Sequence, residues 1–192
     1  MSNYRRADTP GASYFFTVIT FRRRKILIAD ECRSWLWNAV MNTRKNYPFT
    51  IDAWVLLPDH LHCILTLPEN DKDFSVRWNG IKKRFTTAAK HKLHKPEWVN
   101  ASKQKHREGT IWQQRFWEHQ IRDDNDFQRH VDYIHYNPVK HGLVTAVDDW
   151  PYSTFHRYVN QGIYLTDWCG TSCQKDNTDY GEQGGQVFLP TV

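Results

Sequence analysis

The sequence predicts an α+β domain, a mainly antiparallel sheet with helices packed on it, from three observations. Short aromatic and β-branched runs alternate with longer stretches whose apolar residues recur every three to four positions. Pro58-Asp59, a turn dipeptide, joins two of the runs with no room for a helix between them. Of the 192 residues, 40% are apolar and 24% charged, enough to fill one core of ordinary size and unlike a disordered chain.

Ser13 to Phe21 is aromatic and β-branched and reads as the first strand. Asp30 can cap a helix over about Glu31–Arg44, with Trp35, Ala39, Val40 and Met41 inward, and Tyr47-Pro48 stops it. Phe49 to Leu57 and His60 to Leu67 form a hairpin about the Pro-Asp turn. Phe74, Trp78, Ile81 and Phe85 line one face of a second helix. Residues 90–109 are basic, contain Pro96 and Gly109, and read as a loop; Thr110 to Ile121 follows as a strand. Asp124 or Asn125 caps a third helix with Phe127, Val131 and Ile134 inward, Tyr133 and Asn137 on the opposite side, and Pro138 at its end. The order β-α-β-β-α-β-α is the split β-α-β, ferredoxin-like pattern, with helices expected on one face of the sheet. Residues 1–164 make one domain, and the polar, Gly-rich residues 165–192 a tail that is either disordered or docked in cis.

No apolar run approaches 18 residues, so no membrane span is expected, and no apolar run follows Arg5 and Arg6 as a secretory leader would. Four cysteines are too few for a disulfide scaffold and point to a reducing cytoplasm. Cys169 and Cys173 lack a second pair, which argues against zinc. The net charge of +5 conceals a segregation: residues 1–25 carry +5 and residues 82–107 carry +8, so the rest carries −8. A merely solvated basic face is one reading. Interleaved aromatics (Tyr4, Phe21, Phe85, Trp98, Trp112, Phe116, Trp117) favour a nucleic-acid surface.

His60-Leu61-His62 carries the chemistry. On a strand, positions i and i+2 share a face, so both imidazoles project together and can share a divalent metal. The alternative is two surface histidines on a strand edge. Tyr133 and Asn137, at i and i+4 of a helix, stack on one face. A phenol beside such a site can attack a phosphate, giving a phosphotyrosine that conserves the diester's energy for rejoining. Tyr136 is the second candidate nucleophile; a packing role for Tyr133 and a helix-terminal role for Asn137 are the bland readings.

Three segments carry a family resemblance: Trp54 to Ile64 with its Pro-Asp-His-Leu-His core, Ile111 to His119, and Tyr133 to Leu143 with Tyr-x-x-x-Asn-Pro-Val-Lys-His-Gly. Together, within about Tyr4–Arg157, the chain resembles the single-tyrosine transposases of the HUH (histidine-hydrophobe-histidine) type. It is most similar to the bacterial group associated with repetitive extragenic palindromes (REP). That resemblance implies an HUH endonuclease fold and a metal-dependent single-stranded DNA endonuclease and strand transferase acting through a 5′-phosphotyrosine. It places Tyr133 as nucleophile and His60, His62 and Asn137 as ligands of Mg²⁺ or Mn²⁺; related insertion-sequence enzymes have Gln where Asn137 stands. It also implies a REP hairpin with an unpaired guide as substrate. The hairpin phosphates would then lie on Lys82, Lys83, Arg84 and the basic loop. Arg5, Arg6 and Arg115 would read bases or clamp the strand, Trp112 and Trp117 would stack bases, and Lys140 would touch the scissile region. A monomer acting in cis fits the REP-associated group, with a homodimer as the other arrangement. The competing reading is a catalytically silent REP-binding protein with an architectural or regulatory role.

Overall fold

The computed structural model describes residues 9–106 and 108–169, together with Tyr180 and Glu182. The described residues form four strands: β1 (Ser13–Ile19), β2 (Thr50–Leu56), β3 (His60–Thr66) and β4 (Trp117–Gln120). Their order is β2-β3-β1-β4, every pairing antiparallel. Helices α1 (Asp30–Asn46) and α2 (Phe74–Leu93) are the two crossovers of a ferredoxin-like unit. A short α3 (Ala101–Lys105), then α4 (Asp124–Lys140) and α5 (Phe155–Asn160) complete the set. Among the described residues no helix is long and apolar enough to cross a membrane.

The sheet is covered on both faces, not on one as expected. Central β1 is buried from Tyr14 to Ile19 with no polar face to leave in water, so both sides need a partner. Tyr14, Phe16, Val18, Leu61, Cys63 and Leu65 meet α1 and α2 through Leu36, Val40, Trp78 and Phe85. Phe15, Val55 and Ile64 meet α4 through Val131 and Ile134, and the chain from Val147 to Tyr164 closes round α4 from outside. Where α1 and α2 touch, Gly80 lies against Thr43; a Cβ there would stand 3.0 Å from Thr43 Cγ2. The outer edge of β2 is sealed by residues 152–154, with Leu56 N–H donating to Tyr152 O and Thr154 N–H to Trp54 O, both 2.9 Å.

Several boundaries differ from the sequence reading. Ala29, not Asp30, holds the cap position of α1, and Asp30 sits in the first turn, where a carboxylate complements the helix dipole. Residues 90–109 are not a plain loop: α2 runs to Leu93, and a 3₁₀ turn (Pro96–Trp98) and α3 follow. The expected strand from Thr110 shrinks to β4, leaving a single bridge between Trp112 and Thr20. Asp123 caps α4 by accepting from Asp126 N–H. Pro138 lies inside α4, because a proline's φ suits a helix and only one hydrogen bond, to the carbonyl four residues back, is forfeited near the end. Tyr133 and Asn137 are buried like the Val131/Ile134 stripe, since α4 is enclosed nearly all round.

Candidate active site

The period-two geometry of β3 turns His60 and His62 toward α4 while Leu61 and Cys63 enter the opposite core. Their ring centroids lie 4.9 Å apart. Each ring is fixed from behind at Nδ1. His60 Nδ1–H donates to Asp59 Oδ1 at 2.6 Å, and Asp59 Oδ2 accepts from Arg23 at 2.9 Å. Thr17 donates its hydroxyl proton to Tyr180 O, so Thr17 Oγ1 accepts from His62 Nδ1–H at 2.8 Å. Both imidazoles thus keep an Nε2 lone pair aimed inward. Burial pushes His62 down to about 3 and His60 below its ordinary value, so both are neutral imidazoles at pH 7. Burial alone would raise the Asp59 carboxyl, but bonds from His60 and Arg23 outweigh it and hold it at about 2. Arg22 and Arg23 occupy the left-handed region (φ 57° and 50°), a backbone strain of about 1–3 kcal/mol each beside the site.

From the facing helix comes Tyr133, its ring 5.3 Å from that of His62. Asn137 and Lys140, one and two turns on, share its face. Tyr133 Oη and Asn137 Nδ2 donate to the Glu182 carboxylate, Asn137 at 3.0 Å. Lys140 Nζ stands 3.1 Å from Glu182 Oε2 and 3.3 Å from Tyr133 Oη, and His141 Nε2 is 3.5 Å from Glu182 Oε1. Burial and the adjacent Glu182 charge push the Tyr133 phenol far above the tyrosine range. Burial opposes ionisation of Glu182, but the contacts from His141, Tyr133 and Asn137 prevail and hold its carboxyl well below the usual range. Tyr136 is elsewhere, lining a cavity with Val139, Val147 and Trp168. Geometry therefore selects Tyr133 over Tyr136 as the phenol beside the histidines.

The metal reading can be tested on the donors themselves. His60 Nε2, His62 Nε2 and Asn137 Oδ1 are buried without a hydrogen-bond partner among the described residues. Orphaned buried groups cost about 1–3 kcal/mol each, so three together are expensive unless a cation completes them. Ligand atoms of His60, His62 and Glu182 lie within 4.8 Å of one another. Two neutral imidazoles, an amide oxygen and a carboxylate suit a divalent first-row or magnesium-like ion.

These observations have a counterpart in known proteins. Residues 9–137 match the family of IS200-like transposases. The chain belongs to that family. A REP-associated tyrosine transposase of Escherichia coli K12 is 47% identical over 180 residues, 94% of this chain and 95% of its own. A Haemophilus influenzae relative is 47% identical over 170 residues, 88% and 94% of the two chains. A REP-associated tyrosine transposase solved bound to a REP hairpin superposes with a TM-score of 0.74 at 48% identity, covering 88% of this transposase and 91% of that chain.

The remaining candidate residues scatter. Lys83, Arg84 and Arg115 are exposed, and Trp117, 36% exposed, stands on β4. Lys82 is turned inward, donating to Gln113 O at 2.7 Å and Gln114 O at 3.3 Å, and burial lowers its ammonium to about 8. Trp112 packs edge-on to Phe85 in the α1/α2 core, 5.0 Å between centroids, with no face left for a base. Arg5, Arg6 and Cys173 lie outside the described residues. Sequence reasoning overlooked four participants. Asp59 and His141 sit inside strings already singled out, the Pro-Asp-His and Lys-His-Gly stretches; Thr17 and Glu182 carry no local signal.

Proposed function

We propose that this transposase is a metal-dependent endonuclease and strand transferase that cuts single-stranded DNA at the foot of a REP hairpin through a 5′-phosphotyrosine. One observation carries the reading: Tyr133 Oη, Asn137 Nδ2, Lys140 Nζ and His141 Nε2 converge on a single carboxylate beside two neutral histidines. That carboxylate marks an anion seat, and a phosphodiester is the anion for which a buried phenol has a chemical use.

Tyr133 Oη attacks phosphorus; the Oη–P bond forms and the P–O3′ bond breaks. The departing 3′ oxygen keeps the electron pair and gains a proton, leaving a 3′-OH. The phenol proton passes to a water at Oη, and water supplies the proton that the 3′ oxygen gains. Lys140 balances charge on phenolate and phosphate, and Asn137 and His141 orient the nonbridging oxygens. Attack of a 3′-OH on the phosphotyrosine reverses these bond changes and rejoins DNA. His60, His62 and Asn137 would hold the cation, which supplies Lewis acidity toward the scissile phosphate. Imidazole and amide ligands suit Mn²⁺ on softness, while Mg²⁺ is the more abundant ion. Glu182 and a phosphate cannot share one seat, so the Glu182 carboxylate gives way when DNA enters, and its upward push on the phenol leaves with it.

The test is incubation with a labelled REP hairpin oligonucleotide bearing its single-stranded flank, with Mn²⁺. A covalent protein–DNA adduct is expected, abolished by chelator and by Tyr133→Phe, with hairpin binding retained. Cleavage surviving in Tyr133→Phe contradicts the reading. Binding without cleavage by the unaltered protein supports the silent REP-binding alternative instead.

A further inference from the structure

Across Phe15 from the nucleophile, a second cluster takes no part in the chemistry above. Trp117 and His119, at i and i+2 of β4, turn the same face toward α4. Their rings are nearly parallel, 7° apart in plane with centroids 6.0 Å apart, and His119 is stacked in turn on His130 of α4 at 4.7 Å and 15°. Asp126 pins both imidazoles. Its Oδ2 accepts from His119 Nε2–H at 2.8 Å and from Arg122 N–H at 3.0 Å, and its carbonyl oxygen accepts from His130 Nδ1–H at 2.7 Å.

The same three residues bring ligand atoms within 4.8 Å of one another, which invites a cation. The ring planes argue otherwise. An imidazole lone pair lies in its own ring plane, and an ion cannot lie in two stacked, near-parallel planes at once. His130 Nδ1 is moreover already committed to a carbonyl. The arrangement is a ladder of flat rings held rigid, with its outer member, Trp117, still 36% exposed.

Its surroundings indicate what the ladder stacks. Among the described residues nothing pairs with the outer edge of β4, whereas the other edge, β2, is covered by residues 152–154. Exposed arginines flank it: Arg115 before the strand, Arg122 after it, and Arg129 on α4, 66% exposed and 3.6 Å from Asp126. Phe15 touches both sites, with ring centroids 5.7 Å from Trp117, 4.9 Å from His130 and 6.0 Å from Tyr133. The ladder and the nucleophile thus share Phe15 as a common neighbour. Flat rings beside guanidinium groups suit an unpaired nucleotide, its base on the rings and its phosphates on the arginines.

We propose that Trp117, backed by His119 and His130, is the seat of one unpaired nucleotide next to the scissile phosphate. Asp126 acts as the positioning residue of that seat. The proposal rests on the DNA-cleaving reading above and adds to it where the strand runs, along β4.

Equilibrium binding of REP hairpin oligonucleotides in EDTA, so that no strand is cut, tests it. Each unpaired nucleotide near the cleavage position is replaced in turn by an abasic residue. At one position the abasic change is expected to weaken binding by the unaltered protein about tenfold, as loss of one stacked base does. Trp117→Ala should bind the intact oligonucleotide about tenfold more weakly and lose nothing further at that position, while losses elsewhere multiply. Trp117→Phe, which keeps a ring, should retain most of the affinity and guards against a folding defect in the alanine variant. His119→Gln, which keeps a donor toward Asp126 but removes the ring, should lose affinity at the same position. If the losses multiply at every position, the stacking seat is refuted while the DNA reading stands. If the unaltered protein binds no hairpin oligonucleotide at all, both fall together.

Discussion

At the scale of single residues, the site works by fixing tautomers. His60 and His62 both give Nδ1–H to a fixed acceptor, Asp59 or Thr17, so their Nε2 atoms are ready to ligate without reorganisation. Asp59→Asn removes the charge that Arg23 and His60 share and weakens the basicity of His60. Mn²⁺ titration by calorimetry should show an affinity loss of about 10–100-fold with the fold intact; unchanged affinity would mean that His60 needs no such support. The histidine pair was legible because a strand's period of two is rigid, so i and i+2 must share a face. Glu182 was not legible, because it reaches the site from a polar segment 42 residues beyond Lys140, where no periodicity reports a contact.

At the scale of elements, α4 delivers Tyr133, Asn137 and Lys140 on one face because i, i+4 and i+7 recur with the helix turn, and this was readable in advance. The role of Pro138 was misjudged, since proline's preference to end helices weakens in a last turn with few bonds to lose. On α2, three consecutive cations look equivalent in sequence, yet Lys82 straps the helix to the carbonyls of Gln113 and Gln114 while Lys83 and Arg84 face solvent. Register on a helix decides this, and the partner lies some thirty residues away. Lys83→Ala and Arg84→Ala should each lower the slope of log affinity against log salt for hairpin DNA by about 1. Lys82→Ala should leave that slope unchanged and lower the melting temperature instead. A slope change in Lys82→Ala equal to the other two would put its ammonium on the DNA.

At the scale of the whole molecule, the sheet separates two tasks. The α1/α2 face is an apolar support for β1 and β3, and the α4 face holds the proposed site, with the Val147–Tyr164 segment closing it. The strand and helix order was legible, but the second covered face was missed because the continuous apolar run of β1 was not read as burial on both sides. The enclosure of α4 has a cost in acid. His135 is fully buried, its Nε2 3.0 Å from Thr154 Oγ1, and burial pushes it down to about 3. Its folded value lies below the unfolded one near 6.5, so the unfolded chain binds the proton more readily. The stability is therefore whole above about pH 6.5 and falls as pH drops toward 3. Between pH 7.5 and 5 the loss from this group is about 2 kcal/mol. Urea melts of His135→Phe should show that much less acid sensitivity than the unaltered protein; identical pH dependence would show that His135 is protonated in the fold.

The proposed chemistry requires that Tyr133 become joined to DNA. Trypsin cuts after Arg129 and Lys140, so one peptide, His130 to Lys140, holds both Tyr133 and Tyr136. Mass spectrometry of the nuclease-trimmed adduct formed on a REP hairpin with Mn²⁺ can assign the added nucleotide phosphate by fragmentation. The phosphate is expected on Tyr133 alone; a phosphate on Tyr136, or a cleaved strand with an unmodified peptide, would rule out Tyr133 as the nucleophile.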